Sequence, residues 1–465
     1  MIILKASIDD NRFVTIKSRG DNLDKIEKLF SFSDLSNCWV NGSFRREYIK
    51  IRKFLTRTSQ DPTTGLLPIG FLGDLEAFLI SNQAKYLIED NRSKEIFSFT
   101  DKEIRDNLSY LTLYDYQIEA IKVCLKLGNG IVKSATGSGK TEMFISLCNL
   151  MKKKTLILFA RIDLARQTLR RMIDAGVDAG IVQGGEVDEK HQVIMATVQS
   201  GHKLVNKYEM LIVDEVHRAS GEQYQNIIMA SMFRYRFGFS ATPFVGKKDE
   251  FRDAKTKAWL GGIIYEVKSE KLIDEEKIAD PIIHMVPIAK PIGIDNYKWM
   301  PAEKYGIVRN KYRNEVIAKL CQDLTGQILI LVKKIDHGKT LASLIPNAIF
   351  LHGVTNVKER AEVVKRFDAG EEFVLIASTI FDEGIDLRSV AHLFIAGGGS
   401  SYIKVLQRIG RGMRVTATKK TVDVYDFFDK TNPILLKHSN ERIKLYRKEG
   451  YNRIFFEEDM VISAA

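Results

Sequence analysis

The 465 residues hold only four cysteines, Cys38, Cys124, Cys148 and Cys321, widely spaced and with no Cys-x-x-Cys pair among them. They lie mostly inside apolar stretches and read as reduced core residues of a cytosolic chain. No run of eighteen apolar residues occurs, and the apolar start Met1 to Leu4 is broken by Lys5, Asp9 and Asp10. Neither a membrane span nor an export signal is therefore expected. The first 95 residues carry no nucleotide signature, the second half has no Gly-Lys-Thr loop, and no nuclease site is recognisable. What is present is ordinary for globular protein: 45% hydrophobic and 28% charged residues, over a length that allows about three domains. The net charge of +11, with a pI near 9.2, makes an anionic polymer a reasonable partner but says nothing of the fold.

The chain divides by pattern. Residues 1–95 partly alternate apolar and polar, as in Phe13 to Lys17 and Tyr48 to Arg52, and read as a small strand-rich domain. The turn chemistry of Asp61-Pro62-Thr63-Thr64-Gly65 predicts a hairpin between Ile49–Thr58 and Leu66–Ile69, followed by a helix from Leu72 to Asn82. From Phe44 to Arg57 the basic residues Arg45, Arg46, Lys50, Arg52, Lys53 and Arg57 interleave with aromatics. That pattern suits phosphate contact with stacking, and equally a solvated strand face over an aromatic core. From about residue 96, short apolar strands alternate with helical periods at Gly130–Lys133, Thr155–Phe159, Val193–Ala196, Met210–Val213 and Phe237–Ser240. A second such series follows the Pro281 to Pro301 stretch, at Gln327–Val332, Ala348–Leu351, Phe373–Ala377, His392–Ala396 and Val422–Phe427. The expectation is an α/β chain with two tandem parallel-sheet domains, 96–280 and 281–465, behind the N-terminal domain.

Ser134 to Glu142, SATGSGKTE, sits between the first of these strands and a helical stretch. Gly137 and Gly139 free the backbone so that the N–H groups of Thr136, Gly137, Ser138 and Gly139 can turn towards phosphate oxygens at a helix N-terminus that also carries Glu142. Lys140 would reach the β and γ phosphates and Thr141 would hold Mg²⁺. Ser134 stands where the phosphate-loop pattern has its first glycine. Asp214-Glu215-Val216-His217 follows the strand Met210 to Val213, which places two carboxylates at the edge where open α/β sheets bind ligands. Asp214 suits Mg²⁺ and Glu215 suits orienting the attacking water. In the second series, Gln407 to Arg414 presents Arg411 and Arg414 three residues apart, one helical face wide. They suit arginine fingers that stabilise transition-state charge, or else a basic helix lying on nucleic acid.

These motifs, in this order over residues 108–430, resemble superfamily 2 helicases and translocases of the DExH type, with two RecA-like domains. The resemblance implies that Gln117 reads adenine, that Ser240-Ala241-Thr242 couples the ATP site to the nucleic-acid track, and that Gly384 and Asp386 touch nucleotide and ribose. It also implies that Arg161, Gln167, Thr197, Gln199, His352, Gly353, Ser378 and Thr379 face the nucleic-acid backbone. ATP with Mg²⁺ is the implied cofactor. The basic N-terminal domain with Gly65-Leu66-Leu67-Pro68-Ile69-Gly70-Phe71 is similar to that of the UvsW-like phage branch-migration helicases. That similarity implies DNA, branched or forked, as partner, in recombination, repair or replication. A monomer or weak oligomer in the cytoplasm, the host's if phage-encoded, is expected. An RNA helicase, a duplex translocase of a restriction system, and an ATP-switched annealing protein stay open as alternatives.

Overall fold

The computed structural model describes residues 2–40, 43–93, 95–182, 190–246, 249–290, 292–371, 373–378, 387, 389–399 and 420–457, with the backbone alone for 35–40, 43–50 and 357. The chain forms two compact units. One comprises 1–134 and 139–266, the other 267–465 with the four loop residues 135–138.

In the N-terminal region, strands β1 (Ile3–Ile8), β2 (Phe13–Ser18), β5 (Thr56–Arg57), β6 (Thr64–Pro68) and β7 (Lys85–Asp90) form a mixed sheet ordered β5-β6-β2-β1-β7. Alternation does what it predicts: Leu4, Ala6, Ile8, Val14 and Ile16 are buried on one face, against Leu23, Ile26 and Leu75. A separate hairpin joins β3 (Ser31–Val40) to β4 (Ser43–Lys53), from Ser31 opposite Lys53 to Val40 opposite Ser43. The expected hairpin around Asp61 is thus only half as drawn. Thr56 and Arg57 do pair with Leu66 and Gly65, but Ile51 to Lys53 pair backwards with Ser31 to Ser33. The turn itself is built by Asp61, whose carboxylate accepts from the Thr63 N–H (2.9 Å) and from the hydroxyls of Thr63 and Thr64 (both 2.6 Å). Those bonds, the Thr63 hydroxyl first, hold its pKa down to about 2. The helix expected from Leu72 runs Leu72–Ser81.

The same unit contains a seven-stranded sheet of β8 (Asn129–Ser134), β9 (Thr155–Phe159), β10 (Ala179–Val182), β11 (Val193–Thr197), β12 (Met210–Asp214), β13 (Tyr235–Ser240) and β14 (Ile263–Val267). Its order is β10-β11-β9-β12-β13-β8-β14, with parallel ladders from β10 through β8. The nearly continuous burial of β9, β11, β12 and β13 is what a sheet covered on both faces requires. One contiguous apolar core runs from the N-terminal sheet through Trp259 and Leu260 into this sheet.

The second unit repeats the plan with β15 (Asp280–Ile288), β16 (Gln327–Leu331), β17 (Ile349–Leu351), β18 (Val374–Ala377), β19 (Val390–Ile395), β20 (Thr421–Asp429) and β21 (Ile454–Phe456), ordered β17-β18-β16-β19-β20-β15-β21 and parallel throughout. All ten expected strands are present. Strand β15, however, begins at Asp280, where the prolines suggested a connection between the two series. Its odd-numbered N–H groups point towards β21, as Ile283 N–H to Arg453 O (2.8 Å) shows, and β21 pairs only with Ile283 to Met285. Pro281 and Pro287 fall beyond both ends of that short strand, where a missing N–H costs no ladder bond.

Candidate nucleotide and nucleic-acid site

Strand β13 lies between β8 and β12, so the phosphate loop after β8 and the acidic pair after β12 flank the Ser-Ala-Thr loop at one sheet edge. With strands about 4.8 Å apart, the ends of β8 and β12 are about 10 Å from each other. In the loop, Gly137 and Gly139 take φ of +85° and +75°. Both values lie in the left-handed region, where glycine carries no Cβ penalty. Ser138 is buried, its hydroxyl donating to the Ala135 carbonyl (2.6 Å). Gly139 caps the helix Lys140–Met151, and the Lys140 ammonium turns back to donate to the Ser134 carbonyl (3.2 Å). Thr141 and Glu142 share the first turn, whose N–H groups a helix leaves to outside partners. Glu142 is anchored by Arg171 (2.7 Å). Gln117, buried in the helix Asp115–Leu127, accepts from the Tyr114 N–H (2.9 Å). Its amide lies against the loop so closely that a Cβ on Gly139 would come 2.2 Å from Nε2.

Asp214 ends β12 and Glu215 follows at φ 51°, ψ 56°. A glutamate in this left-handed conformation stores about 1–3 kcal/mol, which surrounding bonds must hold. They are visible. Ser240 Oγ donates to Glu215 Oε2 (3.3 Å), accepts from the Thr242 N–H (3.1 Å) and lies 3.3 Å from His217 Nδ1. That ring nitrogen is in turn 3.2 Å from Glu215 Oε2. One buried hydroxyl therefore joins the acidic pair, the histidine two residues on and the Ser-Ala-Thr loop. Sequence placed these residues on separate loops; only the sheet order brings them to one point.

Of the residues expected on nucleic acid, Arg161 caps the helix Ile162–Asp174 beside Asp163 (3.8 Å), and Thr197 ends β11 at the same sheet edge. Gly353 follows β17 in the second unit and is exposed, with open space where a Cβ would be. Arg52 is paired with Asp34 (3.1 Å), Lys53 with Glu27, and Arg57 with both Asp24 and Glu27. The described end of the basic run is thus charge-compensated within the domain. The side chains of Arg45, Arg46 and Lys50 lie outside the described residues, as do Thr379, Gly384, Asp386, Gln407, Arg411 and Arg414. Among the described residues no helix is long and apolar enough to cross a membrane.

Two RecA-like parallel sheets, the first opening into a phosphate loop beside an acidic pair, define a tandem nucleoside-triphosphatase motor. Residues 110–245 match the family described as the type III restriction enzyme res subunit, and residues 312–416 match the helicase conserved C-terminal domain. The chain belongs to the superfamily 2 helicases, a family that uses ATP. It is 28% identical over 404 residues to the DNA 3'-5' translocase XPB2 of Sulfurisphaera tokodaii, covering 73% of this chain and 87% of that protein. It is 24% identical over 442 residues to the ATP-dependent DNA helicase uvsW of Enterobacteria phage T4, covering 84% and 87%. In fold it matches a fragment of a putative HsdR subunit of a type I restriction enzyme from Vibrio vulnificus, with TM-score 0.55 and 16% identity over 86% of this chain and 88% of that one.

Proposed function

We propose that the chain is an ATP-hydrolysing DNA helicase or translocase that remodels branched DNA by fork regression, D-loop unwinding or Holliday-junction branch migration. The observation that carries the reading is the Ser240 hydroxyl. It ties Glu215 to the Ser-Ala-Thr loop, which supports coupling of hydrolysis to movement on the polymer. The residues suit a nucleoside triphosphate with a divalent cation: two glycines at positive φ, a first helical turn, an ammonium and a carboxylate at one sheet edge. ATP with Mg²⁺ would supply the phosphoryl group and neutralise the charge that develops as it transfers.

The chain's own groups have distinct tasks in this reading. Lys140, which donates to the Ser134 carbonyl, would bind the β and γ phosphates, and Thr141 and Asp214 would hold the cation. Glu215, kept in place by Ser240 and His217, orients water and takes its proton. Gln117 would meet the adenine edge, and Gly384 and Asp386 would contact the nucleotide, as the family resemblance implies. Gln407, Arg411 and Arg414 answer the transition-state charge, worth roughly 10³ to 10⁵ in rate for an arginine finger. Thr197, Arg161, Gly353 and Thr379 grip phosphates without reading bases, with Arg45, Arg46, Lys50 and Arg52 on the N-terminal hairpin. DNA as substrate is supported by the names of the two relatives. The protein acts on DNA without a membrane and as a monomer or weak oligomer.

ATPase rates with no polymer, single strand, duplex, four-way junction and matched RNA, at one salt concentration, test this. Stimulation greatest with the junction, abolished in Glu215→Gln, is expected. Greatest stimulation by plain duplex would favour a restriction-type translocase, the reading supported by the res-subunit match, and equal stimulation by RNA would refute a DNA enzyme.

A further inference from the structure

The helix Glu250–Leu260 touches the hydrolytic loop at its N-terminal end and the N-terminal domain at both ends. At its N-terminal end Arg252 Nη2 donates to the backbone carbonyl of His217 (2.8 Å), inside the loop that holds Glu215. The next residue, Asp253, accepts from the backbone N–H groups of Val245 (2.9 Å) and Gly246 (2.6 Å), on the chain leaving the Ser-Ala-Thr loop. Consecutive side chains thus pin both loops that meet at Ser240. At the C-terminal end, Lys257 pairs with Asp74 of the N-terminal domain (2.6 Å) and Trp259 meets Phe13 edge to face at 5.6 Å. Phe251 meets Phe54 at 6.0 Å. Gly70 approaches so closely that a Cβ there would lie 2.0 Å from the Lys257 carbonyl oxygen. A rigid helix held this tightly at both ends passes a displacement of one end to the other.

We propose that Arg252 and Asp253 are positioning residues for Glu215, and that the helix Glu250–Leu260 makes hydrolysis answer to nucleic acid held by the N-terminal domain. The proposal rests on the reading of Glu215 as the water-orienting group. Its partner at the far end is a DNA phosphate backbone engaged by the N-terminal domain, the same polymer the motor tracks. The domain is then a sensor as well as a grip: a junction that tilts it shifts the helix, and the carbonyl of His217 follows.

The test is steady-state ATPase of the full chain, with and without a synthetic four-way junction, alongside junction binding by anisotropy. Arg252→Ala should lower kcat at least tenfold in both conditions and leave KM for ATP within twofold, and Arg252→Lys should recover part of the loss. In a Glu215→Gln background, Arg252→Ala should add no further loss. Asp74→Lys, which sets two ammonium groups against each other, should keep the DNA-free rate and junction affinity within twofold while cutting junction stimulation at least fivefold. Adding Lys257→Asp should restore it. Wild-type stimulation in Asp74→Lys, or wild-type kcat in Arg252→Ala, would overturn the proposal. Full activity in Glu215→Gln alone would instead overturn the reading of Glu215 on which it rests.

Discussion

Replacing Arg442 by methionine removes a guanidinium buried inside the second unit. Arg442, in the helix Pro433–Lys448, is 1% exposed at its side chain, and Asp426 on β20 is 0% exposed. The guanidinium donates from Nε to Asp426 Oδ2 (2.7 Å), from Nη1 to the Gly399 carbonyl (2.8 Å), and from Nη2 to the Phe427 carbonyl (2.8 Å). The Tyr446 hydroxyl donates to the same Asp426 oxygen (2.6 Å). Burial pushes the Arg442 pKa down, but Asp426 outweighs it and holds the guanidinium above its ordinary value. Removing one partner of a fully buried pair leaves the other charge uncompensated, at a cost of about 3–5 kcal/mol. Unfolding entropy of about 2.1 cal/mol/K per residue, over a unit of about 200 residues, amounts to roughly 0.42 kcal/mol/K. Arg442→Met should therefore lower the melting transition of the second unit by about 7–12 °C in scanning calorimetry. Arg442→Met with Asp426→Asn removes both charges and should recover at least half of that. A shift below about 2 °C for the single variant, or a double variant less stable than the single, would refute the argument.

Gly139→Ala places a methyl group against the Gln117 amide at a φ of +75°, so the Kd for ATP should rise at least tenfold with the fold retained. Titration with a fluorescent ATP analogue measures it, and affinity within twofold of wild type would remove the loop from nucleotide binding. His284 gives a pH dependence. Burial lowers its pKa, but Asp423 at 2.9 Å and Glu457 at 2.6 Å outweigh burial and raise it above its ordinary 6.5, while Asp423 also faces His392 at 3.4 Å. A raised folded-state pKa contributes stability that is complete below 6.5 and is lost as pH climbs through the folded value. The melting temperature should fall from pH 6.5 upward more steeply in wild type than in His284→Gln, and parallel profiles would dismiss the assignment.

The sequence by itself determined the motor. A phosphate loop needs glycine at particular positions and a lysine at the helix start, a strand covered on both faces needs an unbroken apolar run, and both requirements are local. Ser134 to Glu142, the acidic pair after Met210 to Val213 and the ten core strands were therefore legible from composition and spacing. Tertiary structure alone decided the rest, because its causes lie far apart in the chain. Pro281 and Pro287 sit in a strand only because β21, some 170 residues later, is too short to ask for their N–H groups. Ile51 to Lys53 leave the predicted hairpin because Ser31 to Ser33 offer an earlier partner. Arg313 and Arg442 are buried because Asp429 and Asp426 wait for them inside the second unit, a pairing no local pattern announces. Glu215 holds a left-handed backbone because Ser240, 25 residues later on the neighbouring strand, bonds its carboxylate. Sequence names the groups proposed to touch phosphate, and only the packing of distant segments fixes where they stand relative to one another.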